Sequence, residues 1–175
     1  MNSMNKTETI ITSLKERFKI NNTEEPVRNQ LAVDVDEKAF YPLLSYIKGA
    51  GWGQLTLITC IDWINVNKFQ LAYTFMNWDN GVTLIVRTYL DRETPHFRTI
   101  TDIYPGAAYY ERDVHEFFGV TFEGNPASEK PLFLELWDDI PPMRKDFDPM
   151  AYSRRKYPDR EYKIDLGEKA GETDG

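Results

Sequence analysis

The side chains best able to do chemistry are concentrated in residues 109–122, YYERDVHEFFGVTF. Glu111 and His115 stand one helical turn apart, a spacing that can place two ligands on one metal ion. A closed zinc site needs about four ligands. The only other histidine is His96, and the single cysteine, Cys60, falls in a stretch expected to be a buried strand. Asp113 and Glu116 offer an acid and a base, but nothing nearby in the sequence marks a pocket. Gly49, Gly51 and Gly53 suggest a phosphate loop. They follow an expected helix and precede an expected strand, the reverse of such a loop, and no Lys-Ser/Thr pair follows. The residues therefore point to binding or structure rather than to catalysis by this chain.

Residues 109–118 have helical spacing. Tyr110, Val114, Phe117 and Phe118 share one face, while Glu111, Arg112, His115 and Glu116 are expected on the other. Gly119 supplies a stop, and Val120 and Phe122 restart an extended segment. Two readings of the charged face stand side by side. It is a partner-facing surface, or it is solvated and held by the i,i+4 pairs Glu111–His115 and Arg112–Glu116.

The chain has 175 residues, 41% of them hydrophobic, 28% charged and 14% aromatic. That supports one domain with a core, and the aromatic content suits a filled core or a protein interface. A net charge of −7 argues against nucleic acid as a partner. No apolar run approaches the roughly 20 residues needed to span a bilayer. The N-terminus lacks the apolar region of a signal peptide. One cysteine excludes an internal disulfide and an iron–sulfur cluster held by this chain alone. These features together suggest a soluble cytoplasmic protein.

Helices are expected over residues 7–18 and after Asp36, where Phe40, Leu43, Leu44 and Ile47 form a stripe ending at Gly49. Residues 21–26 read as a polar break and 31–35 as a strand. Three strands over 55–64, 69–75 and 82–90, with an Asp79-Asn80-Gly81 hairpin, form an antiparallel meander. Its second face also carries bulky residues (Ala72, Met76, Ile85, Tyr89), so helices are expected to cover part of it. The fold class is thus α+β, a mainly antiparallel sheet of about four strands with helices packed on it. Residues 1–147 form the domain and 148–175 an extended charged tail. The tail shows no sustained periodicity and cannot bury a core of its own, so it is unstructured alone or an arm laid over another subunit.

YYERDVHEFFGVTFEGNP followed by LFLELWDDIPPMRKDF resembles the 30-kDa subunit family of respiratory complex I, the proton-translocating NADH dehydrogenase. The match runs through Glu111-Arg112-Asp113, Phe117-Phe118-Gly119, Gly124, Pro126, Leu132–Leu134 and Arg144-Lys145-Asp146-Phe147, and covers about residues 5–150. The family has His where Asn125 stands, and a basic pair where Ser128-Glu129-Lys130-Pro131 stands. These departures resemble the branch of energy-converting membrane-bound hydrogenases and archaeal ferredoxin-linked complexes. The resemblance implies a non-catalytic, cofactor-free accessory subunit in the hydrophilic arm of an ion-pumping redox complex. It would dock on the large catalytic subunit and lie near the Fe–S subunits. Fe–S clusters, and in the hydrogenase branch a [NiFe] site, would belong to those partners. The chain would lie on the cytoplasmic side of the membrane, touching it only through the complex. Interface residues are expected at Glu111, Arg112, His115, Glu116, Asn125, Pro126, Arg144, Lys145, Asp146, Tyr152 and Tyr157. The alternatives are the equivalent 30-kDa-type subunit of an NADH:quinone-type or F420H2-type dehydrogenase and, less favoured, a free-standing small-molecule-binding protein.

Overall fold

The structure, a computed structural model, describes residues 6–158. Helix α1 (Lys6–Lys15) is followed by strands β1 (Ile20–Val27) and β2 (Gln30–Val35), helix α2 (Glu37–Gly49), and strands β3 (Gln54–Trp63), β4 (Lys68–Asn77) and β5 (Val82–Asp91). After β6 (His96–Arg98) come α3 (Ala107–Phe118), β7 (Thr121–Glu123) and α4 (Pro149–Lys156). The main sheet runs β1-β2-β5-β4-β3 and is antiparallel except for the β2–β5 pair. β6 and β7 pair in parallel beside it. The expected α+β class and meander are present, with five strands in the sheet rather than four.

Alternation along the strands builds the core. Ile58, Phe69, Tyr73, Phe75, Leu84 and Val86 point to one face and are buried. Aromatic contacts fasten the helices to that face. Phe40 of α2 meets Tyr73 at 4.8 Å and Phe97 at 5.0 Å, and Phe118 of α3 meets Phe69 at 6.1 Å. The α2 stripe of Phe40, Leu43, Leu44 and Ile47 is wholly buried, as its spacing predicts. In the hairpin, Gly81 takes φ +68°, while the Asn77 side chain accepts the N–H groups of Asp79 and Asn80.

Two expectations are corrected. Residues 21–26 are not a break but most of β1, an exposed edge strand whose polar side chains carry no burial signal. Among the described residues, no helix covers the second face of the sheet. α1, α2 and α3 all pack on the core face, and Leu57, Ile61, Trp63 and Tyr89 stay exposed on the other. The polar part of that face is organised by Arg87, which pairs with Asp34 and Glu24.

Candidate functional site

The site is built from α3 and the segment that follows it. α3 is turned further than the apolar spacing suggests, so its buried positions are Ala107, Glu111, Val114 and Phe118. Tyr110 and Phe117 flank that row. The Tyr110 hydroxyl donates to Thr56 O at 2.8 Å, and Phe117 packs against Phe133. Gly119, at φ +78°, ends the helix and returns its N–H to His115 O.

Glu111 therefore does not belong to an outward charged face, and the expectation that it meets a partner is overturned. Its side chain is fully buried. The carboxylate accepts the Ile100 N–H at 2.9 Å, the Thr99 hydroxyl at 2.7 Å and the Asn125 amide at 2.8 Å. Burial pushes this carboxyl up, against the opposing pull of those donors. Asn125 is also buried, its amide turned inward, and Gly124 beside it takes φ +90° with the Thr99 methyl close by. One carboxylate thus ties α3 to the turn after β6 and to the loop after β7. Pro126 stays exposed.

Arg112, His115 and Glu116 are neither free nor joined as the expected i,i+4 pairs. They hold the chain's own continuation. Arg112 donates to Lys130 O at 3.1 Å and Pro131 O at 2.5 Å. Glu116 accepts three consecutive backbone N–H groups, those of Leu132, Phe133 and Leu134. Burial works to raise the Glu116 carboxyl, but those N–H groups and Arg112 outweigh it and hold it below the ordinary carboxylate range. The His115 Nδ1–H donates to Val120 O at 2.9 Å. Glu111 and His115 consequently do not converge on a metal. Asp113 and Glu116 are no acid–base pair either, since Glu116 is committed to the loop. Among the described residues, no group of three or more His, Cys, Asp or Glu side chains could hold a metal ion.

The Arg144-Lys145-Asp146 motif forms a second fastening. Arg92 donates to both Asp62 carboxylate oxygens, at 2.8 and 3.0 Å, and to Asp146 at 2.6 Å. The Lys145 N–H reaches the same Asp62 carboxylate at 2.8 Å. The Arg92 and Arg144 guanidinium groups lie over the Phe69 ring at 5.7 and 5.3 Å. Burial favours raising the Asp62 carboxyl, but Arg92, the Lys145 N–H and Arg144 hold it low. Arg144, Lys145 and Asp146 thus clasp the segment to the sheet, with the Lys145 side chain left exposed. Asp62 and Arg92 carry no motif of their own. The available signal was an aspartate at an inward β3 position, in register with Ile58 and Cys60.

Beyond Phe122, no apolar side chain among the described residues is buried. The segment nevertheless contains α4, which corrects the expectation of no regular element after Phe147. Asp148 caps that helix by accepting the Met150 and Ala151 N–H groups. Tyr152 stacks on Trp137 at 4.4 Å, and Arg155 and Lys156 bridge to Asp138. Tyr157 is exposed. The part of the expected tail at 159–175 lies outside the described residues. Phe133, Leu136, Ile140, Met143 and Met150 are exposed apolar side chains of this arm.

Cys60 lies on the floor of a groove of about 360 Å³ between α3 and β3, beside Phe117 and Met143. Burial pushes its thiol far up, so the thiolate needed for alkylation is scarce. Iodoacetamide at pH 7 should label the native chain far more slowly than the urea-unfolded chain. Equal rates would show that the groove opens freely.

Fold and site define a mostly antiparallel α+β body carrying a polar-anchored arm with apolar side chains turned outward. The chain belongs to the family described as respiratory-chain NADH dehydrogenase, 30 Kd subunit, whose profile matches residues 33–153. It is 28% identical over 141 residues to the mitochondrial NADH-ubiquinone oxidoreductase 30.4 kDa subunit of Neurospora crassa, covering 78% of this chain and 49% of that one. It is 29% identical to a subunit of the F(420)H(2) dehydrogenase of Methanosarcina mazei, covering 71% of this chain and 78% of that one. The chain thus spans about half the length of its mitochondrial relative. A chain in the structure of the membrane-bound sulfane sulfur reductase, an archaeal respiratory membrane complex, superposes with a TM-score of 0.79 at 32% identity. That match covers 90% of this chain and 96% of the other. The trypsin-resistant fragment of Nqo5 superposes with a TM-score of 0.58 at 25% identity, covering 70% of this chain and 98% of the fragment. Among the described residues, no helix is long and apolar enough to cross a membrane.

Proposed function

We propose that this chain is a non-catalytic, cofactor-free accessory subunit of a membrane-bound, ion-pumping redox complex related to complex I. It belongs to the hydrophilic arm, on the cytoplasmic side of the membrane. The arm of this chain carries the reading. Its backbone is fixed by Arg112, Glu116, Asp62 and Arg92, while Phe133, Leu136, Ile140, Met143 and Met150 stay exposed. A chain that spends buried polar groups on holding apolar side chains outward is shaped to complete its burial against another protein. The partner is the large catalytic subunit, with the Fe–S subunits adjacent, and all metal cofactors belong to those partners.

Two observations favour the branch of membrane-bound hydrogenases and archaeal ferredoxin-linked complexes. One is the 32% identity to a chain of an archaeal respiratory membrane complex. The other is the inward-facing Asn125, whose amide completes the Glu111 site. A role as the equivalent subunit of an F420H2-type dehydrogenase is the second reading, favoured by the relative in Methanosarcina mazei.

The test is purification of the tagged chain from detergent-solubilised membranes. A large catalytic subunit and Fe–S subunits should co-migrate with it, and iron should appear in the complex but not stoichiometrically in the isolated chain. Recovery as a free, monodisperse protein whose melting responds to a small molecule would overturn the proposal.

A further inference from the structure

The exposed apolar side chains of the arm are not alike, and the most exposed of them is held most deliberately. Leu136 is 93% exposed and has a backbone φ of +62°, the left-handed region that a leucine rarely occupies. An exposed leucine gains nothing within the chain from that conformation. The backbone on both sides is fixed. On the N-terminal side, the Glu116 carboxylate gathers the N–H groups of Leu132, Phe133 and Leu134. On the C-terminal side, the Trp137 indole N–H donates to Ile140 O at 2.9 Å, and its ring is stacked by Tyr152 and packed by Phe147. Two independent fastenings thus hold the Leu134–Trp137 turn, in which the Trp137 N–H donates to Leu134 O at 3.3 Å and Leu136 stands at the tip, with the exposed Phe133 preceding it in the chain.

The charges around the tip narrow the partner. Residues 133–143 contain Glu135, Asp138 and Asp139 and no lysine or arginine. Asp138 and Asp139 are bridged to Arg155 and Lys156 of α4, which leaves the exposed Glu135 next to Leu136 as the uncompensated charge. An acidic tip suits neither an anionic lipid surface nor nucleic acid.

We infer that the 134–137 turn is the anchor of this chain on its partner protein, with Leu136 entering an apolar pocket rimmed by a lysine or arginine that meets Glu135. Glu116 is the positioning residue that sets the turn. The inference deepens the proposed function and rests on it. A side chain pre-set in its bound geometry loses little freedom on docking, which is the condition under which a single apolar residue dominates an interface.

The discriminating variant is Leu136→Gly. Glycine takes φ +62° without strain, so melting of the isolated chain should stay level or rise while docking fails. The assay titrates the purified full-length chain against the membrane complex prepared without it. Wild type should rebind, Leu136→Gly should rebind at least about tenfold more weakly, and Glu135→Lys should weaken binding and reduce its salt dependence. Glu116→Gln should weaken rebinding in the wild-type background and add little in the Leu136→Gly background, the non-additivity of a residue acting through another. Rebinding of Leu136→Gly at wild-type affinity would overturn the anchor and leave the accessory-subunit reading intact. Failure of the wild type to rebind or to recover any oxidoreductase subunit would overturn that reading itself. Sedimentation of the chain with phosphatidylglycerol vesicles in place of the complex, or Leu136-dependent self-association, would also overturn the anchor.

Discussion

Replacing Glu111 with alanine is expected to remove a large share of the chain's folding stability. The substitution leaves the buried Ile100 N–H without its partner and takes one hydrogen bond each from the Thr99 hydroxyl, which keeps Thr101, and the Asn125 amide, which keeps only a long contact to Ala108 O. An orphaned buried polar group costs about 1–3 kcal/mol, so the stranded Ile100 N–H and the weakened Thr99 and Asn125 together come to roughly 3 kcal/mol. Single domains have a total of about 5–15 kcal/mol. Glu111→Gln keeps the shape and one acceptor and should cost less, about 1–2 kcal/mol. The pH dependence separates the two effects. The folded carboxyl is raised by burial. The unfolded one titrates at its ordinary value of about 4.3. As pH rises, the unfolded chain therefore gives up its proton first. The Glu111 contribution is full below that ordinary value and declines as pH climbs toward the folded value. Urea denaturation from pH 4 to pH 8 should show that decline in the wild type and a flatter profile in Glu111→Gln. Parallel profiles would show that the carboxyl is not the titrating group.

The second large effect is expected at the clasp. Arg92→Leu strips the Asp62 carboxylate of both guanidinium hydrogen bonds and leaves it buried with the Lys145 N–H. Removing one member of a buried ion pair costs about 3–5 kcal/mol. Asp62 and Asp146 are both held low in the fold. Their contribution is therefore present above the ordinary carboxylate range and lost as pH falls through their folded values, opposite in sense to that of Glu111. The double replacement Asp62→Leu with Arg92→Leu should recover much of the loss, because a buried pair is often no better than well-packed apolar side chains. Limited trypsinolysis gives the second readout. Cleavage after Arg144 and Lys145 should accelerate in Arg92→Leu as the arm lifts from the sheet. An unchanged cleavage rate with lowered stability would mean that the pair holds the sheet and not the arm.

The elements with a regular apolar period are legible in the sequence. Phe40, Leu43, Leu44 and Ile47 of α2, and Phe69, Leu71, Tyr73 and Phe75 of β4, lie buried where their spacing puts them. β1 is not legible, because INNTEEPV has no apolar alternation: its strand pairing is made by the backbone and its side chains are mostly polar and exposed. The charged helix α3 stands where its spacing puts it, but its faces divide differently. Period and polarity group Glu111 with Arg112, His115 and Glu116, because a charged residue defaults to the solvent side. What pulls Glu111 inward is a set of donors from Thr99, Ile100 and Asn125, two of them backbone or hydroxyl groups without sequence prominence. The clasp is hidden for a related reason. Lys145 and Asp62 are 83 positions apart, and no local pattern links them. Arg144 and Asp146 are recognisable as a motif, but only the folded sheet shows that the motif turns back onto its own domain.

The edge of the sheet at β1 bears on how copies of the chain meet. β1 offers unpaired backbone groups along one side, the kind of border at which two copies of a chain can zip together. In this strand Pro26 lacks a donor, Glu25 places negative charge along the border while Glu24 is paired with Arg87, and the pairing with β2 is irregular between Glu24 and Val27. Along β1 a second copy of the chain therefore meets a broken margin rather than a template. At the opposite border β3 has no proline and exposes Leu57, Ile61 and Trp63, so the two margins of one sheet differ in how readily they would accept another strand.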